Sequence, residues 1–217
     1  TGKTIAGAGV LTISGTASDT NFSALTAAVV DVTAATLNGT SNFGSAIAEG
    51  DEFRFTAAQV TGKTIGGAGT KTITKLNADL DADLSNISSG TITAAFEDDG
   101  TFTGDLGSAT VTVTDSKTMT AGYSVLNGKT INHDGSESGQ ALVIQITESD
   151  KAGDVGNVSG NIAKSISFTE SQTFTGNVQS LTSTIENSVT VTAAADEFDA
   201  KTVNGAGQLT LTGTGTG

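Results

Sequence analysis

The chain has 217 residues: 28 glycines, about 38 threonines, about 21 serines, 36% hydrophobic residues, and no proline, cysteine or tryptophan. Without cysteine there is no disulfide scaffold and no zinc-thiolate or iron–sulfur site, and without proline in a Gly-X-Y period there is no collagen. Ten basic residues against 23 acidic ones leave a net charge of −13, which argues against nucleic acid and anionic lipid as partners, and no stretch approaches the ~18 apolar residues of an inserted membrane span.

In chain order, the first feature is Lys3-Thr4-Ile5-Ala6-Gly7-Ala8-Gly9, running on to Thr12-Ile13-Ser14. It returns as Lys63-Thr64-Ile65-Gly66-Gly67-Ala68-Gly69 with Thr72-Ile73-Thr74, and as Lys201-Thr202-Val203-Asn204-Gly205-Ala206-Gly207 with Thr210-Leu211-Thr212. Lys129-Thr130-Ile131-Asn132 is a decayed copy. The intervals between Lys3, Lys63, Lys129 and Lys201 lengthen steadily along the chain. Between them, Phe22-Ser23-Ala24-Leu25 leading to Thr33-Ala34-Ala35 is echoed by Leu84-Ser85-Asn86-Ile87 leading to Thr93-Ala94-Ala95. These features predict one repetitive β domain over 1–217, with long repeats starting near 1, 61, 127 and 199, cut from a longer repetitive polypeptide.

The segments between turns read as strands. Thr110–Thr114, Ser188–Thr192 and Gln208–Thr212 alternate polar and apolar residues, which puts one face on a core. Ala141–Ile146 is denser and predicts burial on both faces. Asn38-Gly39, Asn127-Gly128 and Asn204-Gly205 predict turns with positive φ. Short helices are expected at Ala46–Glu52 and Ala193–Phe198.

The long repeats are too short and too variable for immunoglobulin-like modules of ~100 residues. Coils of roughly 20 to 25 residues would fit three to a long repeat, so the expected fold is a right-handed parallel β-helix (a β-solenoid), with a tandem β-sandwich as the alternative. Phe22 and Phe43 are separated by one such coil length, as are Phe174 and Phe198, which predicts rings stacked in adjacent coils. The Gly-Ala-Gly segments predict tight corners where a side chain would clash.

Phe55-Thr56-Ala57-Ala58-Gln59-Val60 followed by Thr61–Thr70 resembles the Thr/Gly-rich β-strand-repeat regions of large secreted bacterial surface proteins, such as adhesin stalks and surface-layer-like proteins. The resemblance implies an extracellular, non-catalytic spacer, adhesive fibre or lattice component, often calcium-dependent. The G-G-x-G-x-D calcium repeat of many such regions is absent here.

Gly62-Lys63-Thr64 lacks the upstream glycine of a phosphate-binding loop and leads into a strand. His133 beside Asp134 hints at a dyad, yet Asp134-Gly135-Ser136 reads as a turn and nothing singles out a nucleophile. Three acidic clusters are candidate calcium sites: Asp79, Asp81 and Asp83; Glu97, Asp98 and Asp99; and Asp196, Glu197 and Asp199. The competing reading is solvated turn charge. An EF-hand is excluded, because Leu84 and Gly90 replace its glycine and glutamate.

The function expected is a stalk, lattice or filament segment at a cell surface, with other copies of itself as partner through end-to-end or lattice contacts. The alternatives are a glycan- or receptor-binding segment and a polysaccharide-processing β-helix enzyme. The enzyme class would have to work with Arg54 as its one guanidinium and Tyr123 as its one tyrosine.

Overall fold

A computed structural model describes residues 5–22, 25–38, 43, 47–135 and 139–213. The fold is all-β, with parallel strands stacked as a β-solenoid of about ten turns. It forms two compact units, one of Thr1–Asp98 with Gly104–Thr112 and one of Asp99–Thr103 with Val113–Gly217.

In the first unit the strands Ile5–Thr12, Leu25–Asp31, Glu52–Thr56, Thr70–Leu76 and Ile92–Phe96 follow one another across one sheet. Thr12 pairs with Asp31, Asp31 with Arg54 and Arg54 with Thr72. Thr12 and Thr72 occupy the same position of the repeated motif, so the first long repeat is three coils long. In the second unit Thr120 pairs with Val143, Val143 with Ser165 and Ser165 with Thr182, each step one coil further along the chain.

The alternation in sequence sets which side chains enter the solenoid. Val111 and Val113 are buried between half-exposed threonines, as is Val191, and Ala193 is buried on the same side as Val191. The dense strand Ala141–Ile146 corrects the expectation of burial on both faces. Leu142, Ile144 and Ile146 are buried, whereas Ala141, Val143 and Gln145 are only half-buried. A solenoid wall is a single sheet with core on one side, so its outer face has nothing to pack against.

Phe22 and Phe43 stack as their spacing predicts, whereas Phe174 and Phe198 meet edge-on. Phe22 lies parallel to Phe43 at 5.0 Å, and Phe43 meets Phe55 edge-on at 5.0 Å. In the second unit Phe168, Phe174 and Phe198 form a cluster, with Phe174 and Phe198 6.4 Å apart. Each such pair adds about 0.5–1.5 kcal/mol beyond the burial of its area.

Helix is confined to corners. Ala57–Val60 and Tyr123–Leu126 are single turns, and Ala195–Glu197 is one 3₁₀ turn inside the helix expected at Ala193–Phe198. The helix expected at Ala46–Glu52 is not formed over its described part, 47–52, where a turn leads into the strand Glu52–Thr56. That turn presents its carbonyls to the next coil, which a helix would consume internally. Gln59 holds another corner: its Oε1 accepts from Thr56 N at 2.8 Å, and its Nε2 donates to Val32 O and Ala35 O at 2.7 and 2.6 Å.

In the second and third copies of the motif the Gly-Ala-Gly segment is a tight corner where one coil's backbone touches the next, as expected; the first copy is not such a corner. A Cβ on Gly67, which has φ +102°, would lie 2.5 Å from Ile47 O, and one on Gly69 would lie 2.2 Å from Ala48 O. Gly205 and Gly207 meet Ile185 and Glu186 in the same way. In the first copy, Gly7 and Gly9 run within the strand Ile5–Thr12, and an added Cβ would have no atom within 4 Å.

Equivalent motif positions therefore differ in what they tolerate. Gly67→Ala is expected to cost about 2–4 kcal/mol of unfolding free energy, from positive φ plus overpacking. Gly7→Ala should stay within about 0.5 kcal/mol of the parent. Chemical denaturation of both variants measures this, and equal effects would contradict the stacking described.

Candidate functional site

The residue types that carry chemistry are distributed along the coil edges. The first acidic cluster sits on the loop after the strand Thr70–Leu76. Asp83 Oδ1 accepts from Ser85 N at 2.9 Å and from Ser85 Oγ at 2.5 Å, a local turn. The Ser85 hydroxyl bond, with the backbone bond second, holds the Asp83 carboxyl below its ordinary value. Asp79 and Asp81 are both exposed on the same loop.

The second cluster is divided between two jobs. Glu97 Oε1 accepts from Lys75 N at 2.8 Å, one coil back, where Lys75 has φ +57°. Asp99 Oδ1 accepts from Thr118 N at 2.7 Å, and Asp99 Oδ2 lies 3.4 Å from Lys117 Nζ. The Thr118 amide is the main reason that the Asp99 carboxyl titrates below its ordinary value. In the third cluster Glu197 Oε1 accepts from Val178 N at 2.5 Å, whereas Asp196 and Asp199 are exposed. Among the described residues, no three histidine, aspartate or glutamate side chains form a group that could hold a metal ion.

Further carboxylates repeat the device. Glu148 N donates to Glu170 Oε2 at 2.9 Å, and Asp115 N donates to Asp134 Oδ2 at 3.1 Å. The two residues of each pair are about one coil apart in sequence. At corners the backbone turns away from the parallel ladder, and its amides need another acceptor. A carboxylate from the adjacent coil supplies one.

His133 does not form a dyad with Asp134. Its Nδ1 accepts from Gly135 N at 2.9 Å, closing the turn read from the sequence, while Asp134 bonds Asp115 N and the Gln140 amide. Arg54 is clamped by Glu52 through Nε–Oε1 at 2.9 Å and Nη2–Oε2 at 3.0 Å, and Glu52 also accepts from Thr72 Oγ1. The Arg54 hydrogen bond is the leading cause of a Glu52 carboxyl held below its ordinary value. Tyr123 lines an open hollow of about 410 Å³ with Ser124, Asn127, Ser149, Asp150, Ala152 and Gly153. Its hydroxyl bonds Asn127 Oδ1 and Asn157 Nδ2, and its ring lies against Gly153, leaving the residue 8% exposed. Asp150 Oδ2 accepts from Thr147 N and Oγ1, which caps its own 3₁₀ turn.

One functional group escapes a reading of the sequence. Lys71 is fully buried, in a column of core positions between Phe53 and Ile92. Its ammonium donates to four carbonyls, Gly67 O, Gly69 O, Ser88 O and Ser89 O. Burial pushes its pKa below the usual lysine value. The same motif position holds Leu11 and Leu209 in the other copies, so only a break in the apolar pattern marked it. Lys164 repeats the contact in the second unit, donating to Gly160 O at 2.8 Å, again four residues back to a glycine with positive φ. Both lysines thus fasten a glycine corner to the strand that follows it.

Two outcomes follow. Lys71→Met should lower stability by about 2–3 kcal/mol, because it strips donors from buried carbonyls; an unchanged denaturation midpoint would contradict this. The lowered pKa values of Asp83, Asp99 and Glu52 give stability that is complete above the unfolded carboxylate values, ~3.9–4.3, and is lost as pH falls through the lower folded values. The denaturation midpoint should therefore be flat from about pH 7 to 5 and fall below about pH 4, with a shallower fall in Asp99→Asn.

Comparison of the chain with protein-family models, curated proteins and solved structures returned no match.

Proposed function

We propose that this chain is a non-catalytic structural segment of an extracellular bacterial surface protein, working as stalk, lattice or filament. The observation that supports this reading most is how the reactive residue types are used. Arg54, Tyr123, His133, Asp134, Asp150 and Glu197 each hold a turn, a strand or a neighbouring coil with their polar atoms. Groups tied up in this way serve to maintain a stacked backbone. Each coil added to such a stack buries the face of its neighbour, so length and stability grow together.

The extracellular placement draws its support from the sequence. An acidic, threonine-rich chain without cysteine stays soluble and needs no cross-link. The resemblance to β-strand-repeat regions points the same way. The rival enzyme class would need two carboxylates facing across a groove at ~5 or ~6.5–9.5 Å.

Immunogold electron microscopy of the source cells, with antibody raised to this chain, tests the proposal. Label on an outer layer or on surface fibres is expected. Label throughout the cell interior would overturn the extracellular role. Release of reducing sugar from a panel of acidic and neutral glycans, abolished by a single carboxylate-to-amide change, would overturn the non-catalytic role.

A further inference from the structure

The chain builds one kind of corner twice and covers it only once. In the first unit the helical turn Ala57–Val60 passes into a tight turn in which Lys63 N donates to Val60 O at 2.9 Å, with Gly62 at φ +66°. In the second unit Tyr123–Leu126 passes into the same turn, in which Lys129 N donates to Leu126 O at 2.9 Å, with Gly128 at φ +74°. Thr61 and Asn127 hold matching backbones, at ψ 121° and 122°. The next coil covers the first corner, where Gly62 N donates to Asp83 O at 2.9 Å. The Gly128 amide has no such partner among the described residues. The coil that follows it is longer, since Thr130 bridges to Ser159 whereas Ile65 bridges to Ile87. In that longer coil the 3₁₀ turn Glu148–Asp150 and the bend to Gly153 form one wall of the hollow of about 410 Å³, and the Tyr123 corner forms the other.

The polar atoms of this hollow are only partly used. Asp150 is 7% exposed, and its Oδ2 takes both hydrogen bonds from Thr147, so Oδ1 has no partner among the described residues. That oxygen is not sealed in the core, and the space open to it is the hollow that Asp150 lines. Asn127 Oδ1 accepts from the Tyr123 hydroxyl, which leaves Nδ2 with two hydrogens and no acceptor among the described residues. In the covered corner Ala57 replaces Tyr123 and Thr61 replaces Asn127, and Thr61 Oγ1 is spent on Ala57 O. The stacked backbone therefore does not require the polar groups found at the second corner.

We propose that this hollow binds one neutral sugar residue through a vicinal pair of hydroxyls. The donor and acceptor set selects that chemistry. A hydroxyl both donates and accepts, so one hydroxyl donates to Asp150 Oδ1 while its neighbour accepts from Asn127 Nδ2. An ammonium ligand offers donors only and leaves Asn127 Nδ2 unmatched. A phosphate or carboxylate ligand meets the Asp150 charge in a chain of net charge −13. The volume falls within the ~300–1,000 Å³ of small-molecule sites. Ala152 supplies a methyl group for the C–H face of a sugar ring. The Tyr123 ring braces the floor against Gly153, where an added Cβ would lie 2.8 Å from it. The inference stands on the geometry of the second unit and does not depend on the structural role proposed above.

Titration of the isotopically labelled full chain, followed by amide NMR shifts, tests it. The probes are the methyl glycosides of glucose, galactose, mannose and N-acetylglucosamine, with methylammonium and inorganic phosphate as charged controls. At least one glycoside should shift the amides of Ser124, Asn127, Asp150 and Gly153 saturably, with a Kd on the order of 1 mM, and the controls should not. Asp150→Asn keeps an acceptor for Thr147 and removes the free carboxylate oxygen, so it should weaken binding about tenfold. Ser124→Leu, at an exposed position, should block binding by filling the hollow while the rest of the spectrum stays in place. No saturable shift with any of the glycosides up to about 50 mM, stronger shifts at these amides with methylammonium or phosphate, or undiminished binding in either variant would each overturn the inference. None of these results touches the structural role, which fails separately on interior label or glycan turnover.

Discussion

Everything in this structure depends on the parallel step from one coil to the next. A parallel ladder repeats every ~4.8 Å, so each position along a coil sits directly on its counterpart. The outline of one coil therefore limits the next. Where strands stack, alternation of threonine with valine, isoleucine or leucine satisfies the step, as Val191 over Leu209 and Ile144 over Ile166 do. Where the chain turns a corner, the next backbone comes within hydrogen-bonding range, and a side chain on the inner surface would collide with a carbonyl. Gly67, Gly69, Gly205 and Gly207 occupy those places.

The same step explains how a chain of net charge −13 remains compact. Many of its carboxylates accept hydrogen bonds from amides that have left the ladder, at a strand bulge as Glu97 does from Lys75, or at turns as Glu170 does from Glu148 and Glu197 from Val178. Negative charge placed on an N–H dipole is stabilised by it, so the acidic residues act as fasteners between coils. Lys71 and Lys164 do the complementary work on carbonyls at glycine corners. The buried ammonium of Lys71 has four carbonyl partners, which offset much of its desolvation.

Much of the fold was legible in the residues, because a solenoid writes its geometry as a period. The stretch from Lys3 to Lys63 spans three coils, and Phe22 and Phe43, one coil apart, are stacked rings. The Gly-Ala-Gly corners were readable from the need for space. Other features were not, and the reasons are physical. Ala141–Ile146 has the composition of a strand buried on two faces, but composition does not say how many layers surround a strand. Ala46–Glu52 has helical residues, yet tertiary hydrogen bonds to Gly69 and Thr70 claim the carbonyls of Ile47 and Asp51. The backbone partners of the acidic clusters were not readable, because sequence gives the spacing of carboxylates and not what they bond. Glu97 and Asp99 are near neighbours in the chain and accept from different backbone amides, Lys75 and Thr118. Lys71 was hidden because a lysine on a strand is ordinarily an outward residue, and only the coil geometry turned its position inward.

The central claim is that strands roughly one coil apart in sequence are parallel neighbours in a fixed register. Nuclear Overhauser contacts in isotopically labelled protein test it most directly. Interstrand contacts are expected to link Thr120 to Val143, Val143 to Ser165 and Ser165 to Thr182, each in the slanted pattern of a parallel pair. Close Hα–Hα contacts between antiparallel strands joined by short hairpins, with Thr120, Val143 and Ser165 far apart, would contradict it and favour a chain of β-sandwiches.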